Sequence, residues 1–201
     1  LLASPPKPAR RWPETAFALL MLVIGIGSFL FHTYAEAWAA TADVAPIGLF
    51  MVGYLGYALS RFLRWHPVAV AAALAGFGAA LKYAGDLNCA AGLLPITAAA
   101  GRPCFNGSLG YAPALAAMLL IGAMLLTINH PAGRRVLAAG LVFAVSLMAR
   151  SLDFEMCGLT HILGAARGTH MLWHVLNALT LYLLTSAAIL FGQVGECSNR
   201  R

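Results

Sequence analysis

The chain has 201 residues, 61% of them hydrophobic and 10% charged, with a formal net charge of +6. A soluble globular chain carries roughly 25% charged residues, so a water-soluble enzyme is excluded. Six stretches reach the roughly 20 apolar residues that a bilayer crossing needs, and what remains is too short for a separate soluble domain.

In chain order, the predicted spans run over residues 15–34, 43–62, 67–85, 110–129, 133–152 and 168–190, each bounded by Pro, Gly or charge. Their Ala, Leu and Gly richness and helical rather than two-residue period argue for an all-α polytopic bundle and against an outer-membrane barrel. The first span is too long for a signal peptide, lacks a small-residue cleavage site and is followed by further spans. Residue 1 is Leu, not Met, so an N-terminal piece is expected to be missing and six helices is a minimum. No internal repeat is visible, and residues 1–201 read as a single transmembrane bundle domain.

Orientation follows from the Lys and Arg count on the two sides. Lys7, Arg10, Arg11, Arg61, Arg64, Arg134, Arg135, Arg200 and Arg201 lie on the side of the termini, against Lys82, Arg102, Arg150 and Arg167 opposite. Both termini are therefore expected in the cytoplasm, and the Ala- and Arg-rich composition suggests a bacterial inner membrane. The positive charge is a topology signal and an attraction to anionic lipid; no basic cluster interleaves with aromatics, so a nucleic-acid partner is not expected. Nothing in the sequence points to a protein partner. Cys89, Cys104 and Cys157 fall on the far side, where an oxidising compartment permits a disulfide among them, although small buried apolar residues are an equal reading; Cys197 is expected to be cytoplasmic and reduced.

Acidic and imidazole side chains gather on that same far side. Glu36, Asp43, Asp86, Asp153 and Glu155 fall there, with His32, His161, His170 and His174. His66 and His130 sit in short turns beside Pro67 and Pro131, where interfacial solvation accounts for them. Ionisable groups at membrane depth are costly and usually functional, although interfacial loops would produce a similar distribution.

Spacing sharpens this. Ser28 and His32 stand four apart and share one face of the first helix near its far end. Asp43 is expected to open the second helix, where a first-turn carboxylate also serves the helix dipole. His170 and His174 begin the last helix, and histidines four apart on one helix face can share a metal; Asn177 continues that face, as a hydrogen-bond partner or for packing. The first helix ends where the last begins, so His32, His170 and His174 can converge with Ser28 and Asp43 beside them. Three histidines and an open fourth position make a catalytic zinc shell. Met171 and Leu172 occupy the place of the glutamate in HExxH, so a general base must come from elsewhere, and Asp43 is the candidate. Ser28 suits a hydroxyl donor to a developing oxyanion better than a nucleophile, since no histidine is left to activate it.

These residues resemble a known pattern. GSFLFHTYAEAWAATADVAPI (27–47), the segment with Asp153 and Cys157, and GTHMLWHVLNA (168–178) are similar to the alkaline ceramidases, within a superfamily of seven-helix membrane hydrolases that includes the adiponectin-type receptors. The distinctive part is S-x3-H-x10-D followed by H-x3-H on the last helix. The resemblance implies Zn2+ held by His32, His170 and His174, Ser28 and Asp43 in the catalytic surroundings, and the amide of an N-acylated sphingoid base as substrate. It also implies that these six helices are helices two to seven of the family. The family's first helix, and the N-terminal segment that binds Ca2+ in the full-length members, are not in these 201 residues, so calcium dependence does not carry over.

The expectation is thus a zinc amidase that admits a ceramide-like lipid amide from the bilayer and releases a fatty acid and an amine. A receptor-like or regulatory membrane protein with a structural zinc site is the alternative, and a proton-relay transporter a third. Against the transporter, the polar groups gather at one face instead of the midplane. Around the site, Arg150 and Asp153 are expected to form a bracing ion pair or hold a headgroup, and His161 to be a solvated loop residue. Trp38 and Trp173 suit an interfacial belt or a substrate wall.

Overall fold

Six long helices form in the computed structural model, which describes residues 12–87, 104–156, 161–162, 165–166 and 168–192. They are α1 (Trp12–Tyr34), α2 (Ala37–Tyr57), α3 (Pro67–Asp86), α4 (Ala112–Thr127), α5 (Gly133–Ser151) and, after a four-residue α6 (Asp153–Met156), α7 (His170–Phe191). A π-helical turn, Ala58–Phe62, prolongs α2, and a 3-10 segment, Cys104–Tyr111, leads into α4. Between α6 and α7 a two-residue antiparallel pair, β1 (His161–Ile162) with β2 (Ala165–Ala166), sets His161 opposite Ala166. The chain is an all-α polytopic membrane protein: five of the helices are long and apolar enough to cross a bilayer.

The remaining long helix, α5, is different in kind. It bears Arg134, Arg135 and Arg150 at its ends, while Val136, Ala139, Gly140, Phe143, Ser146 and Leu147 are buried along its length. Helix α5 packs most extensively against α7 and α4, α1 does so against α2, and α1 meets α7 only lightly. Leu19, Leu22, Val23 and Ile26 of α1 and Val175, Leu179 and Tyr182 of α7 face outwards. Such a continuous apolar exterior suits lipid, not water.

The second helix corrects the sequence expectation. It begins six residues before Asp43, at Ala37, so Asp43 lies in the second turn and does not serve the helix dipole. Asp43 and Pro46 imitate a helix start, but the run Ala37-Trp38-Ala39-Ala40 is strongly helix-forming and the helix continues through Pro46. Proline has no N–H, so the Ala42 carbonyl four residues earlier loses its intrahelical donor. That carbonyl is where α1 comes closest: a side chain at Gly27 would run into the Ala42 carbonyl oxygen and carbon. The glycine lets two backbones touch, and it is this contact that sets Ser28 beside Asp43.

Candidate metal centre

Helix α1 delivers His32 just before its C-terminus, and α7, running the opposite way, delivers His170 and His174 in its first turn and a half. The three imidazoles meet. His32 Nε2 and His174 Nε2 are 2.9 Å apart, and ring centroids are separated by 4.8 Å for His32 and His174, 4.7 Å for His170 and His174, and 5.6 Å for His32 and His170. One ligand-capable nitrogen from each lies within 4.8 Å of the others, close enough for a single metal ion. His32 is exposed at the lip, and His170 and His174 are half-buried.

Hydrogen bonds hold the α7 side of the cluster. The His170 backbone N–H donates to Asp153 Oδ1 at 2.7 Å, and Asp153 Oδ2 lies 3.8 Å from His170 Nδ1. Gly168 admits this carboxylate, since a Cβ there would collide with Asp153. Thr169 Oγ1 donates to the Ala149 carbonyl at 2.5 Å, and Ser146 Oγ to the Trp173 carbonyl at 3.0 Å, so the start of α7 is tied to α5 twice more. Asp153 therefore braces α7 through His170, not through Arg150 as expected.

On the α1 side, Ser28 Oγ is 3.3 Å from His174 Nδ1. The half-buried carboxylate of Asp43 lies beside Ser28 and in the field of His32 and His170. Ser28, His32, Asp43, His170 and His174, all five residues singled out in the sequence, line one cavity of about 670 Å3. Binding sites for small molecules are roughly 300–1,000 Å3. A second, apolar cavity of about 50 Å3 lies in the bundle core and shares Ile47, Asn177 and Leu181 with the first.

Some residues fall elsewhere than expected. Trp173 is 3% exposed and lines the cavity, so it is a wall residue, whereas Trp38 is 51% exposed and donates to Glu36 Oε2 at 2.6 Å. Asn177 is buried at the junction of the two cavities. Tyr111 lines the site without having been singled out for it, and Arg150, expected beside Asp153, lines it as well. His66 accepts from the Val68 N–H at 3.4 Å and so caps α3, and His130 accepts from the Ala132 N–H at 3.2 Å. Burial, with the Arg64 charge nearby, holds the His130 imidazole below its ordinary value. The side chains of Cys104 and His161, and all of Cys89, Cys157 and Cys197, lie outside the described residues.

No protein-family model matches the chain, and no curated protein or solved structure does. The site's chemistry has to be argued from its own groups.

Proposed function

We propose that this chain is a zinc-dependent intramembrane amidase acting on ceramide-like N-acyl lipids. The observation that carries the reading is the meeting of three imidazoles from the two ends of the sequence, with a carboxylate alongside, at one end of a membrane bundle. Two imidazole nitrogens 2.9 Å apart either share a proton or direct lone pairs at a common cation. An all-nitrogen set of three suits Zn2+ over Mg2+ or Ca2+, which prefer oxygen. When bound, Zn2+ supplies a Lewis acid that polarises a carbonyl and acidifies water.

The chain's own groups divide the remaining work. For His174 to offer Nε2 to a metal, its proton must sit on Nδ1 and be donated to Ser28 Oγ. The Ser28 hydroxyl proton is then free to turn towards Asp43. Ser28 is thus a positioning residue that fixes the tautomer and ring of a ligand, as partners of metal-bound histidines commonly do. This replaces the oxyanion-donor role expected from spacing alone. Asp43, half-buried and facing the cavity, accepts the proton from the attacking water and returns it to the departing amine nitrogen. The C–N bond breaks, a C–O bond forms, and a fatty acid and an amine leave.

The resemblance in the order S-x3-H-x10-D and H-x3-H supplies the substrate class, and the apolar cavity walls suit an acyl chain. The Lys and Arg distribution supports an orientation with the described helices' N-terminal side in the cytoplasm and the site near the opposite face, and the Ala- and Arg-rich composition favours a bacterial inner membrane. Metal analysis of the purified protein, followed by a screen of N-acyl lipids for released fatty acid, tests the reading. Stoichiometric zinc with turnover is expected. Absence of zinc overturns the proposal, and zinc without turnover on any N-acyl lipid points to the receptor-like alternative.

A further inference from the structure

Arg150 is a fixed charge in the cavity to which the proposed hydrolysis assigns no task. It occupies the last turn of α5 and lines the same cavity as the histidines and Asp43. Its guanidinium carbon lies 5.0 Å from the ring centroid of Trp173 and 5.7 Å from that of Tyr111. Ring faces attract a cation without consuming its N–H donors, so these contacts aim the group and leave its hydrogen bonding unspent. The Arg150 Nε is buried and has no hydrogen-bond partner among the described residues. Asp153, the nearest carboxylate in sequence, is taken up by the His170 backbone. An arginine side chain cannot escape such a position by losing its proton.

We infer that Arg150 is the receptor for a lipid carboxylate, the fatty acid that amide hydrolysis releases. The inference rests on the amidase reading for the origin of that acid. A guanidinium edge matches the two oxygens of a carboxylate. One cation beside the Asp43 carboxylate favours a single negative charge over the double charge of a phosphate monoester. Met21, Ile24, Ile47 and Leu181 line the cavity with apolar surface for the attached chain, and Ile47 and Leu181 continue into the bundle core.

The consequence concerns timing. The uncleaved amide is neutral at its acyl carbonyl. Hydrolysis breaks the C–N bond, places the water oxygen on the carbonyl carbon and moves both water protons to the amine nitrogen, leaving an ammonium and a carboxylate, so the anion that Arg150 binds exists only after the reaction. The acid is therefore held more tightly than the amide it came from, and accumulated fatty acid slows turnover.

Binding of labelled palmitate tests this, against the alcohol and the alkyl phosphate of the same chain length, on the full chain in lipid nanodiscs, as purified and again after chelation. Palmitate is expected to bind at least about tenfold tighter than the alcohol in both preparations, a margin of the size charge-assisted bidentate pairing gives. Arg150→Gln should erase that margin while leaving alcohol binding unchanged, and Arg150→Lys should keep part of it. Equal binding of acid and alcohol by the wild type, a full margin in Arg150→Gln, or tighter binding of the phosphate would overturn the inference. The wild-type comparison decides even if the variants fail to fold. A carboxylate margin with no hydrolysis of N-acyl lipids sinks the amidase reading and leaves the receptor standing; hydrolysis with no margin does the reverse.

Discussion

The two ends of the bundle treat buried polar groups in opposite ways. At the end away from the histidines, Glu14 is 8% exposed; Tyr57 donates to its Oε1 at 2.6 Å and lies 3.2 Å from the Ala188 carbonyl. Around Tyr57 the rings of Phe17, Tyr54 and Phe62 pack at centroid distances of 5.4, 6.2 and 5.4 Å. That carboxylate is sealed in, and its hydrogen bond joins α1 to α2. At the other end, three imidazoles, a carboxylate and a guanidinium turn towards shared open space. A buried acid alone is therefore no sign of chemistry; convergence of unlike groups on one cavity is.

Substitutions at both ends sharpen this contrast. The largest effect is expected from His170→Ala or His174→Ala, which should lose stoichiometric metal and hydrolyse nothing above the uncatalysed background, as read by metal analysis and product release. Asp43→Asn should retain metal and lose about a hundred- to ten-thousandfold in rate, the range of a lost general base. Normal turnover in that variant would remove Asp43 from the mechanism. Ser28→Ala should cost about ten- to a hundredfold in metal affinity or activity, the usual result of deleting a partner that orients a ligand.

At the sealed end, Tyr57→Phe should leave metal content and the pH profile of activity unchanged. It should lower thermal stability by about 1–3 kcal/mol, because the Glu14 carboxylate loses a donor in a buried site. A smaller effect is expected from His130. Its folded value lies below the ordinary 6.5, so the unfolded chain binds more protons as the pH falls through that value. Stability should be fully present above pH 6.5 and decline below it, and thermal melts of His130→Gln should show a shallower decline than the wild type.

Much of this was legible in the sequence, for identifiable reasons. Apolar runs of bilayer length fix helices whatever their neighbours, and a four-residue spacing fixes which side chains share a face, so the His170 and His174 pair and the Ser28 and His32 pair were readable locally. The start of α2 was not, because Asp43 and Pro46 carry initiation signals that an Ala-rich run overrides. The partner of Arg150 was not legible, for a different reason. Sequence proximity to Asp153 suggested an ion pair, but that carboxylate goes to the His170 backbone and the guanidinium to the rings of Trp173 and Tyr111. Such competition between partners is decided by tertiary packing. Trp173 was ambiguous for the same reason: a tryptophan near a helix end suits an interface or a wall, and only the packing of α5 against α7 chooses.

The glycine at position 27 has a consequence beyond its own contact. Because α1 packs backbone to backbone on α2 there, while Thr169, Ser146 and Asp153 stitch α7 to its partners, the site is carried on two leaves, α1 with α2 and α5 with α7, and α1 meets α7 only lightly. His32 and Asp43 ride on one leaf, His170 and His174 on the other. An ion held by all three imidazoles would tie the two leaves together across their lightest contact.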